Sequence, residues 1–256
     1  MDLKGKVAII SGGASGIGEA CVAAFCAAGA QVLVADRDVE RGERVARAAA
    51  ADGAHVAFIE ADVTSEKAIE AMVAQAVEQF GGLDCAVNCA GVARAPALTT
   101  ELTEQEWRIN FDIMMLGVAL SMKHQIRAML AGRGGSVVNI ASTAGLDGVP
   151  AFGPYVAAKH GVIGATKCAA LEFATSDIRV NAICPGMIYT PMAQYALADT
   201  TDVDQFVAHV PMKRWGRASE IADAALWLAS DSASYVTGQA ISVDGGMLIG
   251  SVRQAN

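Results

Sequence analysis

The sequence predicts an α/β fold: a single-domain, doubly wound, parallel seven-stranded sheet with helices on both faces, spanning residues 1–256. Two observations predict it. Short apolar, β-rich runs alternate along the chain with longer helical patterns, the rhythm of βαβ units joined by right-handed crossovers. Hydrophobic residues make up 53% of the chain and charged residues 18%, a balance suited to strands buried on both faces. A chain of 256 residues in this class can close around one sheet, and no linker, repeat or low-complexity tract divides it.

Seven runs are expected as strands, with helices in the gaps. The first, Val7 to Ile10, runs into Ser11-Gly12-Gly13-Ala14-Ser15-Gly16-Ile17-Gly18. Glycines there permit a tight turn and let the backbone approach a pyrophosphate, while the helix that follows offers free N–H donors and the positive end of its dipole. The same turn would also serve as an ordinary strand-to-helix connection. The second strand, Gln31 to Ala35, is followed by Asp36, eighteen residues after Gly18, about where a ribose-binding acid belongs in a dinucleotide site of the Rossmann type. A carboxylate there accepts hydrogen bonds from the 2′- and 3′-hydroxyls of NAD and repels the 2′-phosphate of NADP, so NAD is the expected cofactor. Two further possibilities stay open: the Arg37 guanidinium could meet a 2′-phosphate or stack on adenine, and Asp36 could simply start the turn into the next helix.

The third run, His55 to Ile59, leads to Asp62-Val63; the fourth, Leu83 to Asn88, leads into Cys89-Ala90-Gly91; the fifth, Ser136 to Ile140, leads to Ser142. Beyond it, Tyr155 and Lys159 stand four residues apart, so that on a helix both project from one face. A phenol has a pKa of about 10, and a fixed cation nearby lowers it, which suits Tyr to general acid/base work near neutral pH. The sixth run, Ile178 to Ile183, leads to Pro185-Gly186, and the seventh, Ala240 to Val243, leads to Asp244-Gly245-Gly246. Residues 186–216 break the rhythm, with Pro191 and Pro211 around a mixed stretch holding Tyr195 and Phe206. Ligands of doubly wound sheets bind beyond the carboxyl ends of the strands, where this insert begins, so it is expected to be a substrate lid.

Composition excludes other classes. A net charge of -8 without any Lys/Arg run gives no footprint for nucleic acid. Met1 to Lys6 is polar and Val7 to Ile10 is too short for a signal peptide or membrane span, so a cytoplasmic protein without membrane contact is expected. Cys21, Cys26, Cys85, Cys89, Cys168 and Cys184 form no CxxC pair and have no neighbouring His at ligand spacing. They are expected as small buried hydrophobes, with no bound metal.

Taken in order, these motifs resemble the short-chain dehydrogenase/reductase family along the whole chain. Ser142 stands thirteen positions before Tyr155, as in that family. Ser11-Gly12-x-x-x-Gly16-x-Gly18 matches its phosphate turn with Ser in place of Thr, and Asn88-Cys89-Ala90-Gly91 matches its Asn-Asn-Ala-Gly apart from Cys89. Asp62-Val63 resembles the pair that holds adenine. Arg179-Val-Asn181-Ala-Ile-Cys-Pro185-Gly186 and Val243-Asp244-Gly245-Gly246 resemble the sixth and last strands.

The resemblance implies catalytic roles for Ser142, Tyr155 and Lys159: Ser142 steadies the substrate oxygen, Tyr155 moves its proton, and Lys159 binds the nicotinamide ribose and lowers the Tyr pKa. It implies cofactor contacts from Gly12, Ser15, Gly16, Ile17, Gly18, Asp36, Arg37, Asp62, Val63, Asn88, Ala90, Gly91, Tyr155, Lys159, Pro185, Gly186, Ile188 and Thr190. Substrate would meet Ser142, Tyr155, Phe152, Met187, Tyr189 and Met192, with Val92, Ala93 and Leu146 completing an apolar pocket. No Arg or Lys stands among these residues to anchor a charge, which points to an uncharged, hydrophobic or cyclic secondary alcohol or its ketone. A homotetramer is implied, built partly on the helix after Phe152, where Ala157, Gly161 and Gly164 would admit a neighbouring helix, and partly on the tail Met247 to Ile249. One departure stands out: the family's relay Asn, seven residues after a Trp and three before a Gly, is here Met114, counted from Trp107 to Gly117. A core side chain is expected at Met114, with its backbone and Asn110, one turn earlier, supporting the helix break that the family uses. The alternatives are a 3-oxoacyl-carrier-protein reductase, which Asp36 disfavours, and a catalytically silent nucleotide-binding scaffold.

Overall fold

The computed structural model describes residues 1–92, 94–196 and 203–250, with no side-chain description at 195, 196, 203 and 204. Its main sheet contains β1 (Val7–Ser11), β2 (Gln31–Asp36), β3 (Val56–Glu60), β4 (Cys85–Asn88), β5 (Gly135–Ile140), β6 (Ile178–Pro185) and, after two short strands, β9 (Ala240–Val243). The order is β3-β2-β1-β4-β5-β6-β9 and every pairing is parallel. All seven expected runs are strands, with ends displaced by one or two residues: Leu83 and Asp84 precede β4, and β6 runs on to Pro185.

Alternation along each strand builds two cores. Ile9, Leu33, Ala86, Val137 and Ala182 face α3 (Glu66–Phe80), α5 (Gly117–Ala131) and α6 (Gly153–Phe173). Ile10, Val34, Val87, Val138 and Ile183 face α1 (Gly16–Ala27), α2 (Val39–Ala51) and α8 (Ala218–Ala229). Register carries this across the sheet, Ile9 standing beside Leu33 on one side and Ala86 on the other, so a one-residue slip would turn a core face into the wrong layer. Local signals set the helix ends: the Asp38 and Ser65 side chains cap α2 and α3, and Thr103 with Glu106 forms a reciprocal capping box at α4 (Glu104–Phe111).

Chain order reverses between β1 and β4, which places a crevice beyond their carboxyl ends. Two features there were not anticipated. Residues 186–216 are not one irregular loop: the segment opens with β7 (Ile188–Tyr189) and α7 (Pro191–Ala196), contains a 3-10 turn at Val203–Val207, and is closed by β8 (Gly216–Arg217) pairing in parallel with β7. Strands of two residues carry no periodicity for a sequence to show. Between α4 and α5 the helix widens into a π turn, Asp112–Leu116, with the Gly117 N–H reaching back five residues to the Asp112 carbonyl. Among the described residues, no helix is long and apolar enough to cross a membrane.

Candidate active site

The glycine turn is built by close approach. Gly12 has φ +69°, and a Cβ there would lie 2.7 Å from the Ala90 nitrogen, so the turns after β1 and β4 press together at the switch point. A Cβ on Gly18 would lie 2.0 Å from the Gly12 carbonyl oxygen, which seats the first turn of α1 on the glycine turn. Ser15 precedes α1 in extended backbone and its hydroxyl makes no capping bond. The surface left is a cradle of main chain at a helix N-terminus, the setting an anionic pyrophosphate needs.

Asp36 ends β2 beside this cradle. Its carboxylate accepts from the Ala14 N–H at 3.1 Å and from the Asp38 N–H at 3.0 Å. It therefore both starts the turn and is held against the glycine turn, with further lone pairs for ribose hydroxyls. Arg37 beside it is exposed. Asp62 is exposed and Val63 buried. The start of α5 comes close to this pair, since a Cβ on Gly117 would lie 2.9 Å from the Val63 carbonyl oxygen. Cys89, where the sequence leaves the usual Asn, accepts a backbone hydrogen bond from Gly18, and burial pushes its thiol up to about 12. On the far side Gly16 faces Thr190, whose methyl would lie 3.5 Å from an added Cβ, and Gly186 packs on Asp244.

Ser142, Tyr155 and Lys159 come together beyond β5. Ser142 is 9% exposed; its Oγ accepts from the Ala144 N–H at 3.1 Å and its side chain hydrogen-bonds the Tyr155 phenol. Lys159, one turn along α6, is 5% exposed, donates from Nζ to the Ile140 carbonyl at 2.8 Å, and lies 5.7 Å from the centre of the Tyr155 ring. Burial lowers its ammonium to about 8. The expectation that Lys159 pulls the Tyr155 pKa down is not met: Lys159 is not among the groups that move it. Burial raises the phenol above its ordinary value and the Ser142 hydrogen bond opposes that rise, while the ammonium is turned to the Ile140 carbonyl.

The apolar surroundings come from separate segments. Met192 reaches over Gly91, its Cε 3.4 Å from where a Gly91 Cβ would stand, and the Met114 sulfur lies 3.8 Å from the same point. Leu146, Tyr189 and Met192 are exposed, and Val92, Phe152 and Met187 half-buried. Ala93 lies outside the described residues. The Tyr189 ring sits edge-on to Trp215 at 5.8 Å, bracing the base of the insert. Val149 to Phe152 forms a turn closed by the Phe152 N–H on the Val149 carbonyl at 3.2 Å, with Pro150 followed by Ala151 at φ +66°. That second position of a type II turn favours Gly, and an alanine there costs about 1 kcal/mol. The Ala97 N–H ties the neighbouring loop to the Ala151 carbonyl at 3.0 Å. Neither Ala151 nor Trp215 carries a sequence signal that would have singled it out.

Met114 is fully buried, as expected of a core side chain, and it sits in the middle of the π turn. Asn110 is 4% exposed and donates from Nδ2 to the Glu106 carbonyl at 2.8 Å, within α4 just before the turn widens. Gly161 on α6 is already filled from within the chain, since a Cβ there would lie 2.9 Å from Met115 Cγ; around Gly164 nothing lies within 4 Å.

The model of a family described as Enoyl-(Acyl carrier protein) reductase matches residues 12–248. A 2,5-dichloro-2,5-cyclohexadiene-1,4-diol dehydrogenase of Sphingobium indicum is 44% identical over 247 residues, covering 96% of this chain and 98% of its own. The 3-oxoacyl-[acyl-carrier-protein] reductase FabG of Thermotoga maritima is 37% identical over 249 residues, covering 97% and 100%. Among solved structures, levodione reductase superposes with a TM-score of 0.92 at 36% identity, covering 95% of this chain and 98% of that one.

Proposed function

The chain belongs to the short-chain dehydrogenase/reductase family, and from that membership we propose that it is an NAD-dependent dehydrogenase of an uncharged, hydrophobic, cyclic secondary alcohol, interconverting it with its ketone. One observation carries the reading: Ser142, Tyr155 and Lys159 converge beside a main-chain cradle whose flanking acid is Asp36. The residues fit a dinucleotide. Gly12, Gly16, Ile17, Gly18 and Ser15 would hold its pyrophosphate, Asp36 and Arg37 its adenosine ribose, Asp62 and Val63 its adenine, and Asn88, Ala90, Gly91, Pro185, Gly186, Ile188 and Thr190 its nicotinamide half. When bound, the nicotinamide supplies the hydride acceptor or donor.

The chain's own residues supply the rest. Ser142 hydrogen-bonds the substrate oxygen and steadies charge developing there. Tyr155 takes the hydroxyl proton in oxidation and returns it in reduction. Because burial raises the phenol, oxidation needs help to ionise it, and a Lys159 ammonium redirected from the Ile140 carbonyl toward the ribose and phenol would provide that help. The insert that β7 opens and β8 closes is the candidate substrate lid, with Met187 at its anchored base and Met192 on α7 as its apolar contacts to the substrate. The dichlorocyclohexadiene-diol dehydrogenase supports a ring substrate, and the apolar candidates around Ser142 support an uncharged one. A homotetramer and a cytoplasmic setting, in which the six free cysteines stay reduced, complete the proposal.

The 3-oxoacyl-carrier-protein reductase remains a second reading, favoured by the FabG relative. Initial rates with cyclic secondary alcohols and NAD, set against a 3-oxoacyl thioester with NADPH, separate the two. Faster turnover of the thioester would replace the first reading with the second.

A further inference from the structure

Beneath the site, four polar side chains form one hydrogen-bonded chain through the core. Gln125 on α5, Asn88 at the end of β4, Asn139 in β5 and Thr166 on α6 are each 2% exposed or less. Asn88 and Gln125 exchange a reciprocal pair: Gln125 Nε2 donates to Asn88 Oδ1 at 2.8 Å and Asn88 Nδ2 to Gln125 Oε1 at 3.1 Å. Asn88 Nδ2 also donates to Asn139 Oδ1 at 2.8 Å, Asn139 Nδ2 to Thr166 Oγ1 at 2.9 Å, and the Thr166 hydroxyl to the Val162 carbonyl at 2.8 Å. Each amide orientation is fixed by the next, so no member can turn without leaving a buried amide unpaired.

The two middle members of this chain and its Val162 end adjoin the site. Asn88 leads directly into Cys89-Ala90-Gly91, the turn pressed on Gly12. Asn139 precedes Ile140, whose carbonyl takes the Lys159 ammonium, and Val162 lies one helical turn beyond Lys159. Packing alone would be served as well by apolar side chains of the same shape, since replacing both partners of a buried polar pair is nearly neutral. Directional bonds do something packing cannot: they stop α5 and α6 from sliding along β4 and β5. We propose that Gln125 is a positioning residue, which through Asn88 and Asn139 holds the cofactor turn after β4 in fixed register with the Ser142, Tyr155 and Lys159 cluster. The proposal rests on the site assignment made above.

The test uses Gln125→Leu and Gln125→Glu in the full chain. It measures the Kd for NADH by fluorescence, kcat and KM for a cyclic alcohol, and folding by circular dichroism, at pH 6 and pH 9. A buried carboxyl stays protonated at pH 6 and can reproduce both bonds, donating to Asn88 Oδ1 and accepting from Asn88 Nδ2; once ionised it cannot donate. Gln125→Leu is expected to weaken NADH binding at least about fivefold and lower kcat at least about tenfold at both pH values. Gln125→Glu is expected to stay within about threefold of wild type at pH 6 and to match the Leu variant at pH 9. A residue that merely packs would change the melting temperature and leave these ratios untouched. A folded Gln125→Leu with Kd and kcat within about twofold of wild type overturns the proposal, as does a Gln125→Glu whose ratio to wild type is the same at both pH values. If Gln125→Leu does not fold, the Glu variant decides alone. If wild type oxidises no cyclic alcohol, the proposed function fails while the NADH arm still tests Gln125.

Discussion

Asp36 starts the turn into the next helix, one of the two roles its position in the sequence allowed, and its place beside the glycine turn leaves the ribose role to experiment. Its carboxylate starts a turn through Asp38 and grips the glycine turn through Ala14. In the proposed cofactor pose the second bond would hold the carboxylate close to a 2′-phosphate, and like charges at short range in a partly desolvated site are strongly unfavourable. kcat/KM should therefore favour NAD over NADP, and Asp36→Ala should move the ratio toward NADP, with Arg37 freed to meet the phosphate. Equal kcat/KM for the two cofactors in wild type would show that Asp36 does not set the preference.

Lys159 allows a test that needs no substrate. Burial holds its folded-state ammonium at about 8 against an ordinary value of 10.5, so the folded chain binds that proton less tightly than the unfolded chain. Charging it costs stability below about pH 8, and the cost fades as pH rises from about 8 toward 10.5. Lys159→Met removes the charge. Its melting temperature relative to wild type should be highest below pH 8 and fall steadily toward pH 10, whatever constant offset the lost bond to Ile140 adds. A difference that stays flat across that range would contradict the burial account.

At the scale of elements, the π turn at Asp112–Leu116 is the feature that accommodates Met114. A widened turn disturbs the regular helical pairing of its carbonyls, and a backbone carbonyl is available whatever the side chain. Met114→Ala should keep kcat within about tenfold while lost packing costs about 2–5 kcal/mol of stability. Asn110 bonds the Glu106 carbonyl at the last regular turn before the widening, so Asn110→Ala should lower kcat and shift the pH dependence of oxidation upward. An unchanged profile would remove Asn110 from the account, and a hundredfold loss in Met114→Ala would overturn the backbone reading itself. The break was expected from the resemblance; its form as a π turn was not, because π and α turns share the same residue preferences. The insert was legible as a departure from the βαβ rhythm, through Pro191 and Pro211, but not as a segment zipped at its base. That closure rests on two-residue strands and on the contact of Tyr189 with Trp215, pairs far apart in sequence with no local pattern.

The sheet of the whole molecule was the most legible feature, because seven apolar runs with glycine punctuation report both strand positions and the parallel class. The buried amide chain was the least. Gln125 and Thr166 are single polar residues on apolar helix faces, and nothing local distinguishes a bonded core amide from a solvent-facing one. The proposed tetramer draws on surface composition: Leu171 is 84% and Ile249 90% exposed, apolar side chains that a partner chain would cover. Light scattering at micromolar concentration should give a mass about four times the 26.3 kDa chain, and a monomer mass would remove the tetramer.

In the proposed function Tyr155 moves the proton of an alcohol oxidised with NAD. The most direct measurement is the initial rate of NADH formation from cyclohexanol and cyclohexane diols, in wild type and in Tyr155→Phe, with NADH binding measured on both proteins. The phenylalanine keeps the ring and removes the hydroxyl, so NADH should bind both within about threefold while turnover falls at least about a hundredfold in the variant. Turnover in a purified Tyr155→Phe within tenfold of wild type, with NADH bound equally well, would contradict the account.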